Sequence, residues 1–143
     1  MGIIFREMRS SDYEQAYALW QHTPGIGLSD ADSKEAVEHF LKKNSALCFI
    51  AVDQDKLIGT ILCGEDGRRG YIYHLAVAEE YRQMGIGKTL VQKSLAALAQ
   101  HDIQKCHLFV YVENHAGKTF WEHIGWKARN DIEVMSFNLE QLK

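Results

Sequence analysis

A single proline, Pro24, leaves nearly the whole chain free of the strongest breaker of helices and central strands. Cysteine is scarce as well. Cys48, Cys63 and Cys106 are odd in number, each sits in an apolar run, and no C-x-x-C pair occurs, so a dithiol pair has no basis in the sequence. Buried, reduced thiols in a cytoplasmic protein are the expectation. No apolar stretch approaches the ~18 residues of a membrane span, and no secretory leader is read. Positive charge is not in excess: the formal net charge is −3, which gives no electrostatic case for nucleic acid or an anionic membrane and permits a cationic substrate. The 7 histidines contain no H-x-x-x-H or H-E-x-x-H pairing, so no metal is assigned. What remains is an ordinary globular composition, 46% hydrophobic and 24% charged over 143 residues, suited to one domain with one core.

The stretch from Tyr71 to Gln100 organises the rest. Tyr71 to Val77 is rich in aromatic and β-branched residues and reads as a strand. Glu79 and Glu80 lead into Arg82-Gln83-Met84-Gly85-Ile86-Gly87, and an amphipathic helix follows, its apolar stripe Ile86, Leu90, Val91, Leu95 and Leu98. A strand, a glycine turn and a helix start make an anion site, because first-turn amides and the positive end of the helix dipole converge. Gly85 and Gly87 place no Cβ in the way, and Arg82, Lys88 and Thr89 add charge and a hydroxyl.

Spacing separates three owners of such a turn. Gly87-Lys88-Thr89 ends a P-loop, but its first glycine would fall on Arg82. Gly85 and Gly87 begin a dinucleotide fingerprint, whose third glycine would fall on Leu90. The pattern [QR]-x-x-G-x-[GA] after an apolar strand ending Leu75-Ala76-Val77 is met at every position. It resembles motif A of the GCN5-related N-acetyltransferase (GNAT) superfamily. A second block of that superfamily, N-x-x-A-x-x-x-Y-x-x-x-G-F, is met at Asn114 and Gly125 and departs at Gly117, Trp121 and Trp126. The Asp66-Gly67-Arg68-Arg69-Gly70 segment resembles a bacterial subgroup of small acetyltransferases of unassigned substrate.

In chain order, Ile3 to Met8 reads as a first strand, and Ser11 to Glu14 as a capping box opening a helix with Tyr13, Ala16, Tyr17 and Trp20 inward. Pro24 to Leu28, with Gly25 and Gly27, reads as a mobile connection to a second helix carrying Val37, Phe40 and Leu41. Leu47–Val52 and Leu57–Leu62 form a hairpin around residues 53–56, and the strand Tyr71–Val77 follows. Lys105–Val112 is a strand parallel to it, Asn114–Ile124 a short helix, and Trp126–Leu139 a last strand or pair. The order β-α-α-β-β-β-α-β-α-β(β) is an α/β fold on a mixed, mostly antiparallel sheet, and it is the order the resemblance implies. Alternation places Tyr71, Tyr73, Leu75 and Val77 on one face and Ile72, His74 and Ala76 on the other.

The resemblance implies a splayed parallel strand pair that takes the pantetheine arm of acetyl-CoA, along Leu75, Ala76 and Val77. It implies that amides from Gln83 through Met84, Gly85, Ile86 and Gly87 to Lys88 hold the pyrophosphate, with Arg82, Thr89, Asn114 and Trp121 also lining the cofactor. Proton handling is implied for Tyr71 or Tyr73, each equally readable as a packing aromatic, and His74 reads rather as a packed sheet histidine. Trp121 stands where many members have a proton-donating tyrosine, and indole N–H donates without titrating. Tyr111 is a substitute. The implied function is acetyl-CoA-dependent N-acetylation of a primary amine on a small molecule or peptide; the alternative is a non-catalytic acyl-CoA-binding module. A homodimer is left open.

Overall fold

The computed structural model describes residues 2–142. Strands β1 (Ile4–Glu7), β2 (Phe49–Asp53), β3 (Lys56–Glu65), β4 (Gly70–Val77) and β5 (Cys106–Leu108) form one sheet in that order. Helices α1 (Tyr13–Gln21), α2 (Lys34–Lys43) and α3 (Ile86–Gln100) lie in the same compact unit, Met1–Tyr111; α4 (His115–His123) lies in a second, Val112–Lys143. Neighbours from β1 to β4 are antiparallel, and β4 runs parallel to β5 because α3 carries the chain across between them. The β2–β3 hairpin turns on Gln54 and Asp55, whose φ of 50° and 68° are the left-handed pair a two-residue type I′ loop needs.

Both faces of the sheet are covered within the first unit. On one, Ala16 and Trp20 of α1 and Val37 and Leu41 of α2 share a buried cluster with Ile50, Leu57, Leu62 and Ala76. On the other, α3 lies so close that a methyl at Gly70 would meet Leu98 at 2.6 Å. The buried stripe of α3 is Ile86, Leu90, Val91, Ser94 and Leu98, which replaces the expected Leu95 by Ser94. A serine is accepted there because its hydroxyl donates to the Leu47 carbonyl at 2.8 Å.

Other expectations are corrected. No Ser11–Glu14 box opens α1; the Asp12 carboxylate instead closes the 3-10 turn Ser10–Asp12 before it, taking the Arg9 amide at 2.8 Å and two bonds from Arg6 at 2.9 and 3.0 Å. Glu14 pairs with Lys34 at 3.1 Å. Strand β5 is 3 residues long, shorter than the expected Lys105–Val112. The Trp126–Leu139 strand does not form; its apolar residues Ile132, Val134, Met135 and Phe137 are exposed. A strand exists only through a partner ladder, and no described residue of the second unit forms one.

Alternation along β4 also breaks. The β3–β4 register pairs Leu62 with Tyr73 but Thr60 with Ala76, so two residues of β4, His74 and Leu75, oppose one of β3. This is a bulge, and His74 adopts φ 49° within it. Past the bulge the parity is reversed. Tyr73 and Ala76 share the face toward α1 and α2, as paired residues lie on the same side of a sheet, and Ala76 is not grouped with Ile72.

Candidate functional site

The site begins where β4 and β5 part. Their pairing runs only from Gly70–Cys106 to Ile72–Leu108, whereas β4 continues to Val77. The Ala78 amide bonds the Ile58 carbonyl at 2.8 Å, so alternation turns the backbone groups of Val77 and Leu75 the other way, to the edge that β5 has left. Arg82 Nε donates to the Val77 carbonyl on that edge at 3.0 Å. Ala76 faces β3, with a side chain only 2% exposed.

Beyond β4, a 3-10 turn (Glu79–Tyr81) leads to extended Arg82, and two residues then enter the left-handed region, Gln83 at φ 65° and Gly85 at φ 81°. Gly85 is the N-cap of α3, and the Thr89 amide makes the first helical bond back to its carbonyl at 3.0 Å. The amides of Ile86, Gly87 and Lys88 are therefore the free donors of the helix start. A Cβ built on Gly85 meets nothing within 4 Å, so the space above it is open. Arg82, Met84 and Lys88 are exposed, Thr89 is half-buried, and Ile86 buries its side chain so that its amide alone faces outward. No acidic residue occurs in the first turn of α3. The arrangement suits a multiply charged phosphate group.

Each of the three tyrosines has its own surroundings. Tyr73 packs edge-on to Phe40, centroids 5.9 Å apart, and burial with neighbouring Tyr71 pushes its phenol above the usual range. It holds its proton at neutral pH and is a donor before it is a base. Tyr71 lies between His107 at 5.8 Å and Phe109 at 6.4 Å. Tyr111 is exposed, with its hydroxyl against the backbone of Gly27 in the α1–α2 connection. No hydrogen bond joins any two of the three among the described residues.

Sequence reasoning missed a network at the bulge. Trp20 Nε1 donates to Thr60 Oγ1 at 2.9 Å, and Thr60 donates to the His74 carbonyl at 3.0 Å. The imidazole packs on Trp20 at 4.8 Å, and its Nε2 meets Asp32 Oδ1 at 2.6 Å. The second Asp32 oxygen accepts the Ser29 amide at 2.9 Å, and Tyr13 donates to the Asp32 carbonyl at 2.7 Å. The signal in the sequence was Asp32 itself, a carboxylate at the N-terminal end of an amphipathic helix; nothing local points it at residue 74.

A model of the acetyltransferase (GNAT) family matches residues 8–126. The chain belongs to that family. It is an N-acetyltransferase with acetyl-CoA as acetyl donor. It is 35% identical over 104 residues to N-alpha-acetyltransferase 30 of Schizosaccharomyces pombe, covering 69% of each chain. Against the human counterpart it is 33% identical and spans 29% of that longer protein. The PaiA N-acetyltransferase of Thermoplasma acidophilum, solved in complex with coenzyme A, superposes with a TM-score of 0.80 at 22% identity, covering 92% of this chain and 94% of that one. The NatC complex bound to Gag peptide and coenzyme A contains a chain matching at a TM-score of 0.75 and 27% identity, covering 87% and 84%.

In the second unit of this acetyltransferase, the Asn114 side chain accepts the Gly117 amide at 3.0 Å and caps α4. A methyl at residue 117 would meet that side chain at 2.6 Å, which fits glycine where the family block has alanine. Trp121 packs edge-on with Phe120 at 5.1 Å and Trp126 at 5.0 Å. The cysteines are unsuited to nucleophilic work. Burial pushes the Cys48 thiol up to about 12 and that of Cys106 up to about 11, and Cys63 is pushed higher still. Among the described residues no helix is long and apolar enough to cross a membrane, and no three His, Cys, Asp or Glu side chains gather as metal donors.

Proposed function

We propose that this acetyltransferase transfers the acetyl group directly from acetyl-CoA to a primary amine of a small molecule or peptide. The observation that carries the reading is the unpaired edge of β4 ending in the cradle at Gly85. The Leu75 and Val77 backbones would take the amides of pantetheine as a sheet takes another strand, and Arg82 would swing from the Val77 carbonyl toward phosphate. Amides from Gln83 to Lys88 would hold the pyrophosphate, with Thr89 beside them. A backbone N–H on the same edge would stabilise the charge that grows on the thioester oxygen as the amine attacks.

Holding amine and thioester in line supplies about 7–11 kcal/mol, and a thiol of pKa about 8.5 leaves tolerably without a strong acid. Trp121 in place of a proton-donating tyrosine is therefore compatible with turnover. Similarity to an N-alpha-acetyltransferase and to a peptide-bound NatC chain supports the peptide arm of the acceptor class. The test is thiol release from acetyl-CoA across alkyl amines, polyamines, amino acids and short peptides. Binding of coenzyme A with no release for any acceptor would replace this reading by a non-catalytic acyl-CoA-binding module.

A further inference from the structure

Resting on the acyl-transfer reading above, we infer that His74, oriented by Asp32, is the group that takes the surplus proton from the acceptor's ammonium. An amine arrives mostly as R–NH3+ at neutral pH and must lose one proton before its lone pair can attack. The structure holds an imidazole with the right division of labour. A carboxylate can only accept, so the 2.6 Å contact with Asp32 Oδ1 puts the hydrogen of neutral His74 on Nε2. That leaves the lone pair on Nδ1. Among the described residues no protein group bonds Nδ1, and it is not sealed from solvent. The orientation of a base by a buried carboxylate, with the opposite nitrogen open, is the arrangement that poises an imidazole for proton transfer.

Its place in the fold supports the same role. His74 is the residue before Leu75, whose backbone lies on the open edge of β4, so it sits one Cα step, about 3.8 Å, from the strand position proposed for the thioester arm. A non-glycine residue at φ 49° in a strand is strained, and here Thr60, Trp20 and Asp32 together hold it. The bulge turns the imidazole toward α1 and the start of α2, the side to which Gly27 and Tyr111 also belong.

The surrounding titratable groups are few. Asp32 faces the ring from the turn before α2; α1 brings Tyr13, bonded to the Asp32 carbonyl, and Tyr17, packed on Trp20; β3 brings the neutral Thr60; β4 itself brings Tyr71 and Tyr73. The balanced step is then R–NH3+ with neutral His74 giving R–NH2 and imidazolium. The amine nitrogen bonds the acetyl carbon, the carbon–sulfur bond breaks, and the second proton leaves the nitrogen for the departing thiolate. His74 returns its proton to solvent. The net change is R–NH3+ and acetyl-CoA to the acetamide, coenzyme A thiol and one proton.

His74→Asn and Asp32→Asn test it on the intact chain. Asparagine tolerates a left-handed φ but takes up no proton, and an amide at position 32 can donate to Nε2 and so remove the lone pair from Nδ1. Each variant should lower kcat/KM for a basic alkyl amine by about 10²–10⁴-fold near neutral pH and remove the imidazole's inflection from the pH profile, leaving a rate that climbs toward the amine's own pKa. Calorimetric affinity for acetyl-CoA should hold. With a weakly basic aryl amine or hydrazide, which arrives neutral, the loss should shrink toward none. Equal losses for both acceptor types, or a pH profile of wild-type shape in either variant, overturn the assignment and leave His74 a packing residue. If His74→Asn does not fold, Asp32→Asn decides by the same readings. A wild-type chain that releases no thiol with any amine overturns the acyl-transfer reading, and this inference with it.

Discussion

The indole of Trp20 and the hydroxyl of Thr60 are joined at 2.9 Å with both side chains essentially out of solvent. One hydroxyl thereby serves two masters, accepting from α1 and donating to the bulged carbonyl of His74. Thr60→Val keeps the shape and strands both partners. It should destabilise the fold by about 1–3 kcal/mol, read as a fall in Tm, and lower acceptor turnover more than acetyl-CoA affinity. A variant as stable and active as wild type would mean that the bulge does not depend on this bond.

Gly85→Val places a side chain in the open space before α3 and forces a β-branched residue to φ 81°, a strain of roughly 1–3 kcal/mol. Gly87→Val crowds the same approach one step into α3. Calorimetry should find coenzyme A binding lost in both while far-ultraviolet circular dichroism stays folded. Unchanged affinity in both would remove the cradle from the site.

Gly27 lies so near the Tyr111 hydroxyl that any Cβ there must displace the phenol. Tyr111 is 55% exposed and can swing outward, so Gly27→Ala should cost little stability. It should change acceptor KM or kcat and leave acetyl-CoA affinity nearly alone. Tyr111→Phe removes the colliding oxygen, and in the double variant the kinetic effect of Gly27→Ala should shrink. Additive effects in that cycle would show that the two residues do not act together.

Burial by itself would raise the Asp12 carboxyl, but the Arg6 guanidinium and the Arg9 amide outweigh it and hold the group below the usual carboxylate range. A depressed folded value means that this stabilisation is complete above the unfolded pKa of about 3.9 and is lost as pH falls through the folded one. Stability should therefore decline below about pH 4. Asp12→Asn should flatten that part of the curve and cost about 1–3 kcal/mol at pH 7, measured by urea unfolding across pH. An unaltered acid limb would assign the decline to other carboxylates.

Motif A was legible because glycines and a following apolar stripe report backbone shape directly, and the left-handed Gly85 at the start of α3 is what such spacing demands. The hairpin at Asp53 to Lys56 was legible for the same local reason. The bulge was not, since it arises from a register between β3 and β4 and from a hydroxyl supplied by residue 60. Ser94 in the α3 stripe escaped for a similar cause: its justification is a carbonyl 47 residues away. The tail, read as a last strand or pair, misled because local composition permits a strand without furnishing its partner. Tyr71, Tyr73 and Tyr111 were readable as chemistry-bearing side chains, but the neighbours each one meets come from distant parts of the chain.

The row of backbone groups from Leu75 to Val77 that suits a pantetheine arm would equally suit a strand from a second molecule. Amide exchange at these two positions should be fast in the ligand-free chain and slow sharply when acetyl-CoA is present. Beyond the phosphate contact proposed for it, Arg82 would serve the ligand-free chain. By holding the Val77 carbonyl it sets a positive charge on the bare edge, which would deter edge-to-edge association until a bound phosphate drew the guanidinium away. Arg82→Ala would then leave a protein whose solubility depends on how much coenzyme A surrounds it.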